Sequence, residues 1–463
     1  MIDAVVIGGG ISGLSAAHEL VRRGFKVQLL ERQARCGGAA VSERIGGFLM
    51  EHGPSSISTT AAGDIDLCSR DLGLDEAVCP LKPGVRYRYL LKNGRLNAIA
   101  THPLGFFTSS YLSPRARLNL LLEIFRGRGD SSQESVAQFC DRRFGAEFTN
   151  AVIDPLVAGL YGARADEISL GAAFPALADM EKRYGSLTAA VIARKISGGR
   201  MPAKRLFSWK NGVASLPQAL AAQLRGHIKT GVTVRRVLSV PDGFCVDTGR
   251  DGKLFARAVV LATQPHATAA MIEALDAGAA GVLYDIPAPP ISVVYLGFRR
   301  AQVEHRLDGI GYLTPEKEGR TASGALFPSS MFEGRAPDGH VAFSIYIGGS
   351  RAPAAAGYPV AELVAMAREE LSDTVGAHGA PVIARVRQWA RGLPQLSSDH
   401  ALCLDRLEMA EKANRGLFFT GNYFTGPGMA RCIARANRIA MRAVSFLKHF
   451  ESFSGAAMGK YNL

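Results

Sequence analysis

Ala4-Val5-Val6-Ile7-Gly8-Gly9-Gly10-Ile11-Ser12-Gly13 decides the fold. Ala4 to Ile7 form a β-branched run apolar enough for a buried strand, and the glycines follow it at the spacing GxGxxG. Gly8 permits a tight turn, Gly10 admits a pyrophosphate close to the backbone, and Gly13 lets a helix from Ile11 to about Arg23 pack on the strand. Ile11 and Ser12 open that helix, so its free N–H groups and positive dipole end face the phosphates. A second strand, Lys26-Val27-Gln28-Leu29-Leu30, ends in Glu31. A carboxylate about 20 residues past the glycines suits a ribose hydroxyl and repels the extra phosphate of NADP. Taken alone, GxGxxG is a weak signal. Strand, glycines, helix, strand and acid in this order make a strong one.

The chain continues Arg32-Gln33-Ala34-Arg35-Cys36-Gly37-Gly38, a second glycine pair that wraps the other side of a pyrophosphate and that NAD dehydrogenases do not need. Glu51-His52-Gly53-Pro54-Ser55-Ser56 adds a GP-containing turn. With these motifs the sequence resembles the superfamily of flavin amine oxidases, phytoene desaturases and protoporphyrinogen oxidases. The resemblance implies FAD as cofactor, held by Gly8, Gly10, Ile11, Ser12, Gly13, Glu31, Arg32, Gly37, Gly38, Gly53, Pro54 and Ser55.

Later segments are expected to complete the same domain. Ile228 to Val237 alternates like a strand, and the resemblance places Val234 against the adenine, though an ordinary core valine explains it equally. Ala258 to Thr263 reads as the closing strand, and Gly416 to Asn422 as a strand and turn bearing Gly421 and Asn422. Gly428-Met429 then opens a final helix, Ala430 to about Lys448, whose start lies over the flavin ring in the superfamily.

Composition bounds the remaining possibilities. A chain of 463 residues exceeds the size at which one core stops growing, and 47% hydrophobic with 21% charged residues suits an α/β globule. The seven cysteines show no CxxC pair and no Cys/His cluster, so neither zinc nor any other metal is expected. With no leader-like segment and no run near the ~18 apolar residues of a membrane span, a cytoplasmic protein is expected. The formal charge is +13, and residues 81–128 concentrate nine Lys/Arg against the single acid Glu123. An anionic partner is implied, yet no recognition module accompanies the patch and nucleic acid is not expected.

Three further segments resemble the oxygen-dependent protoporphyrinogen and coproporphyrinogen oxidases. They are Asp154-Pro155-Leu156-Val157-Ala158-Gly159-Leu160-Tyr161, then Phe207-Ser208-Trp209-Lys210-Asn211-Gly212, then Gly311-Tyr312-Leu313-Thr314-Pro315 running on to Tyr346-Ile347-Gly348-Gly349. This resemblance implies oxidation of a porphyrinogen in heme biosynthesis by hydride loss to the flavin, with O2 as final acceptor and a ferrochelatase as a logical downstream partner. No Ser/His/Asp or Cys/His constellation is present, so no catalytic side chain is assigned and positioning carries the rate. By the same resemblance Arg88 pairs a propionate, while Leu313, Leu326 and Tyr346 sandwich the ring. Arg88 also reads as one exposed cation among Arg86-Tyr87-Arg88-Tyr89, although a planar fork between aromatic residues suits a carboxylate.

Two departures stand near the ring. Tyr161-Gly162-Ala163-Arg164-Ala165 replaces Tyr-Ala-Gly-Asp-Pro, and Gly428-Met429-Ala430 replaces Gly-Ile-Pro. Two alternatives therefore stay open: an amine or carotenoid-type flavin oxidoreductase, and a non-catalytic lipid carrier of the Rab-escort type.

The expected architecture is α/β, a Rossmann-like FAD domain with a mixed-sheet substrate domain and a helical insertion. Residues 1–80, 200–270 and 390–463 are assigned to FAD, 81–103 and 271–389 to substrate, and 104–199 to the insertion. There, Leu104-Gly105-Phe106-Phe107 and a helix from Arg115 to about Arg126, with Leu118, Leu121, Leu122 and Phe125 on one side, suggest attachment to the anionic cytoplasmic face of the inner membrane.

Overall fold

The structure, a computed structural model, describes residues 2–59, 63–100, 110–130, 134–197 and 205–458. The segment Leu104 to Phe107 lies outside them.

The opening strand Ile2–Ile7 stands at the centre of a seven-stranded sheet, flanked in parallel by Val27–Glu31 and Lys253–Leu261. Beyond Val27–Glu31 comes Ile228–Thr230, also parallel. Lys253–Leu261 serves two neighbours. Its first half continues into the antiparallel strands Gly243–Asp247 and Arg236–Val240, and its second half pairs in parallel with Leu417–Phe419.

Both faces of this sheet are covered, which explains the unbroken apolar run of its strands. Ala4 and Val6 pack under the helices Ile11–Arg22 and Met429–Met458, while Val5 and Ile7 pack under Pro265–Ile272, Ala277–Tyr284 and His400–Ala413. Each such residue withdrawn from water contributes about 1.5–3 kcal/mol.

One expectation is corrected here. Ile228 to Val237 is not a single strand, because Gly231 takes φ +75° and its amide donates to the Gln33 carbonyl. The chain turns there and re-enters the sheet at Arg236, on the opposite edge.

A second seven-stranded sheet runs in the spatial order Ile383–Trp389, Ile291–Arg299, His340–Gly348, Ala322–Leu326, Gly309–Leu313, Tyr87–Lys92, Arg95–Ala100. It is antiparallel except between Gly309–Leu313 and Tyr87–Lys92. The helix Val360–Val375 covers one face through Leu363, Ala367, Leu371 and Val375. The other face meets Phe48 and Met50 of the hairpin Ser42–Ile45/Phe48–Glu51.

Between residues 110 and 197 the chain is helical. The stretch expected as one helix from Arg115 is a helix over Pro114–Leu121 with a tighter turn over Leu122–Phe125. Arg143, fully buried, holds this region together: its guanidinium pairs with Glu181 and, at 3.2 Å, with Glu123. Glu123 in turn accepts from Ser186 Oγ at 2.7 Å and from the Leu187 and Thr188 amides at 3.0 Å, capping the helix Leu187–Ile196.

His400 gives the first sheet an acid-sensitive point. Burial lowers its pKa from 6.5 to about 4, so the folded protein keeps the ring neutral while the unfolded chain protonates it. The resulting stability is present above pH 6.5 and is lost as the pH falls toward 4. His400→Leu is expected to remove up to roughly 1.4 kcal/mol per pH unit of acid sensitivity in that window. Denaturant midpoints at several pH values check this, and parallel curves for the two proteins would refute it.

Candidate cofactor and substrate site

The loop Gly8–Gly10 leaves the first sheet at its C-terminal edge and runs into the helix Ile11–Arg22. Gly8 takes φ +110°, and a Cβ there would lie 2.7 Å from the Ala262 carbonyl oxygen. A Cβ on Gly13 would come within 1.9 Å of the Gly8 oxygen, so only glycine lets the helix start this close to the turn. Gly10 caps the helix without a side chain, and the first turn holds no acid. Its amides are left facing the space in front of the loop.

Gly37 and Gly38 fold back over that space. The Gly37 amide donates to the Gly9 carbonyl at 2.8 Å, and a Cβ on Gly38 would lie 3.1 Å from Gly10 Cα. A slot walled by bare backbone results. Glu31, ending the second strand, accepts from the Gly9 amide through Oε2 and from the Gln33 amide through Oε1, each at 2.7 Å. Arg32 follows it beside His266. Gly53 approaches Ala39 so closely that a Cβ would meet its carbonyl oxygen at 2.1 Å.

Of the distant cofactor candidates, Met429 comes to the helix start beside this slot. Met429 packs with Ala40, Trp209 and Val213, and Ile11 and Ala430 border the same cluster. Ser12 is hydrogen-bonded to Cys432, one turn into the final helix. Gly421 and Asn422 follow the strand Leu417–Phe419 and open a short helix, Asn422–Thr425, with Gly428 just beyond. Val234 packs against the core on the far side of the first sheet, in the turn after Gly231. Slot, uncapped helix start and ribose-side carboxylate fit a dinucleotide, and the Gly37–Gly38 flap fits the second wall of its pyrophosphate.

The four substrate candidates share one face of the second sheet. Leu313 stands opposite Gly324, and Gly324 opposite Tyr346. Leu326 lies two residues from Gly324 on the same face, and Arg88 two residues from Leu90, the partner of Leu313. Tyr87 and Tyr89 project to the opposite face, into the core under Val360–Val375. Between Leu313 and Tyr346 the floor is bare backbone, because Gly324 has no side chain. Burial raises the pKa of Tyr346 to about 12, and the Ser55 hydroxyl counters part of that rise.

Arg88 is enclosed but keeps part of its surface open to solvent. Burial is what lowers its pKa, and among the described residues no carboxylate faces it to counter that shift.

Sequence reading missed several contributors. Gly159, on the helix Asp154–Tyr161, lies against Leu313, where a Cβ would sit 2.6 Å from Cδ2. Arg335, buried, pairs with Glu51 at 3.4 Å and donates to Ser208 Oγ at 2.6 Å. Arg431 donates to the Tyr161 hydroxyl and the Ala173 carbonyl, each at 3.2 Å, tying the final helix to the insertion. The departures also have places: Gly162 ends its helix at φ +64°, and Arg164 pairs with Glu316.

Comparison with known proteins agrees with this geometry. The profile of the family described as flavin containing amine oxidoreductase matches residues 11–444. The mitochondrial protoporphyrinogen oxidase of Nicotiana tabacum is 29% identical, over 96% of this chain and 95% of its own. The coproporphyrinogen III oxidase of Propionibacterium freudenreichii subsp. freudenreichii is also 29% identical, over 94% and 89%. A solved protein from Exiguobacterium sp. 255-15 shares the fold with a TM-score of 0.82 at 20% identity, over 96% of this chain and 99% of that one. A Rossmann-like FAD-binding fold with two glycine cradles, matched by the family profile over nearly its whole length, places this chain in the flavin-containing amine oxidoreductase family.

Proposed function

We propose that this FAD-dependent oxidoreductase oxidises a porphyrinogen, protoporphyrinogen IX or coproporphyrinogen III, to the porphyrin in heme biosynthesis. The observation that carries the reading is Arg88, an enclosed guanidinium without an acid partner among the described residues, at the edge of an apolar floor on the sheet face that also meets the cofactor hairpin. An apolar tetrapyrrole with carboxylates at its rim matches that combination. Amines would be repelled by Arg88, and polyenes would leave it unpaired. The names of the tobacco and Propionibacterium relatives support the same substrate class.

In this reading Gly8, Gly10 and Gly38 admit the pyrophosphate, the Ile11 and Ser12 amides donate to it, and Glu31 accepts from the ribose. When bound, the flavin supplies the hydride acceptor for three successive two-electron steps. Arg88 forks onto a propionate, and Leu313, Leu326 and Tyr346 hold the macrocycle against the Gly324 floor. The pyrrole proton leaves to water, so no side chain need act as base. Reoxidation by O2 and delivery to a ferrochelatase belong to the same proposal. Residues 1–80, 200–270 and 390–463 then serve the cofactor, and 81–103 with 271–389 the substrate.

Attachment to an anionic membrane is proposed for the insertion. Phe125 is 82% exposed, Ile196 81% and Leu121 60%, on adjoining segments that also expose Arg126, Arg128, Arg194 and Lys195. No described helix is long and apolar enough to cross a bilayer.

Glu31→Ala is expected to weaken FAD retention by a charge-assisted hydrogen bond, about 1.5–3 kcal/mol. Equilibrium dialysis reads it, and an unchanged Kd removes Glu31 from the site.

Arg88→Ala is expected to raise KM for a porphyrinogen and also to lower kcat, since the contact that binds the ring aims its bridge carbon. Arg88→Lys should fall between, keeping charge but losing the fork. FAD content should not change in either variant. Wild-type kinetics in Arg88→Ala would transfer the propionate role to another residue, and a wild type inactive on every porphyrinogen would end this reading.

Binding to anionic liposomes is expected to weaken with rising salt and with Phe125→Ser plus Ile196→Ser. Equal partitioning to neutral and anionic vesicles at all salt concentrations would count against the membrane.

A further inference from the structure

The helix Asp154–Tyr161 crosses the face that carries Leu313, and ion pairs at both of its ends fasten it to the sheet beneath. At its start, Asp154 Oδ2 meets Arg351 Nη2 at 2.5 Å, and Arg351 Nη1 donates to the Thr314 carbonyl at 2.7 Å. Asp154 Oδ1 accepts from the Ala165 amide at 3.0 Å. One carboxylate oxygen thus serves the insertion and the other serves the sheet. Just past its end, Arg164 pairs with Glu316, on the turn that follows Thr314, and the Ser350 amide donates to the Gly162 carbonyl at 2.8 Å.

The two pairs differ in burial. The side chains of Arg351 and Asp154 are 10% and 12% exposed, whereas those of Arg164 and Glu316 are 38% and 44% exposed. The first is shielded from salt, and loss of either partner leaves a charge stranded away from water. Midway between the fastenings stands Gly159, where even a Cβ would intrude on Leu313. The height of the helix above the Leu313–Gly324–Tyr346 floor is therefore fixed from both ends, with no slack at the centre.

We propose that Asp154 and Arg351 are positioning residues: their pair clamps the helix Asp154–Tyr161 at a fixed height above the floor, and so holds the substrate's place against it. Neither side chain belongs to the contact set of Arg88, Leu313, Leu326 and Tyr346. Both act through Gly159 and Leu313. The kinetic consequence rests on the porphyrinogen reading above, whereas the clamp itself does not.

Two measurements on the FAD-loaded protein test it: amide hydrogen exchange over residues 154–161, and kcat with KM for a porphyrinogen. In Asp154→Asn and Arg351→Gln, exchange over the helix should rise about tenfold or more with FAD content unchanged. The rate kcat should fall on the order of tenfold to a hundredfold, with a higher KM, as for a substrate held slightly out of line. Arg351→Lys should recover part of both, since it keeps the charge opposite Asp154 and loses the second hydrogen bond to Thr314. Unchanged exchange in the single variants would overturn the clamp. Faster exchange with wild-type kcat and KM would overturn the positioning role. If the wild type oxidises no porphyrinogen, the functional reading fails by itself and the exchange arm still decides the clamp. Should Asp154→Asn fail to fold, Arg351→Lys carries the test: exchange over residues 154–161 faster than in the wild type supports the clamp, and unchanged exchange overturns it.

Discussion

Where the two sheets meet, Arg335 and Glu51 form a buried pair that fastens the hairpin Ser42–Ile45/Phe48–Glu51 to the second sheet. Glu51 ends the cofactor hairpin, accepts from Ser42 Oγ at 2.6 Å and from the Val213 amide at 3.0 Å, and is followed directly by His52-Gly53-Pro54-Ser55. Arg335 belongs to the loop between Ala322–Leu326 and His340–Gly348, and its carbonyl accepts from the Leu49 amide and the Tyr295 hydroxyl. Burial pushes the Glu51 carboxyl up to about 7 and lowers Arg335, while Ser42, Arg335 and Val213 pull Glu51 back. Removing one partner of such a pair typically costs about 3–5 kcal/mol, because the other charge is left stranded.

The cofactor half of the site was legible in the sequence because its logic is local. Strand, turn, helix and acid follow one another within about thirty residues, and several of the glycines answer a steric demand seen in the structure: a Cβ would meet backbone oxygen at 1.9 Å on Gly13 and at 2.1 Å on Gly53. Alternation misled where a single residue breaks it. Ile228 to Val237 keeps its period of two across Gly231, but the left-handed turn there sends the two halves to opposite edges of the sheet. The helix expected from Arg115 to Arg126 tightens at Leu122, where Glu123 turns inward to cap a helix that begins 64 residues later. Nothing in a local window announces that partner.

The basic stretch 81–128 shows the same limit for charge. Its cations have separate fates: Arg88 is enclosed beside the floor, Lys92 donates to the Tyr111 carbonyl, and Arg126 and Arg128 are exposed near Phe125. A sum over sequence treats these as one patch. The structure divides them between an enclosed sheet face, a backbone tether and an outward face, because strand alternation and helix rotation decide direction and net charge does not.

The same sorting separates structure from function among the deep guanidinium groups. Arg143, Arg335 and Arg351 each meet a carboxylate, which is how a fold makes a buried cation tolerable. Arg88 has no such partner, and the cost of its desolvation is not recovered within the described chain. A strained or uncompensated group that a fold retains points outward, to something that completes it. The position completes the argument: Arg88 lies on the side of the sheet that faces Phe48, Met50 and the cofactor hairpin, not under the helix Val360–Val375, where its neighbours Tyr87 and Tyr89 are packed. Arg88 and Tyr346 thus share one face of the sheet, with the bare backbone of Gly324 on a strand between theirs.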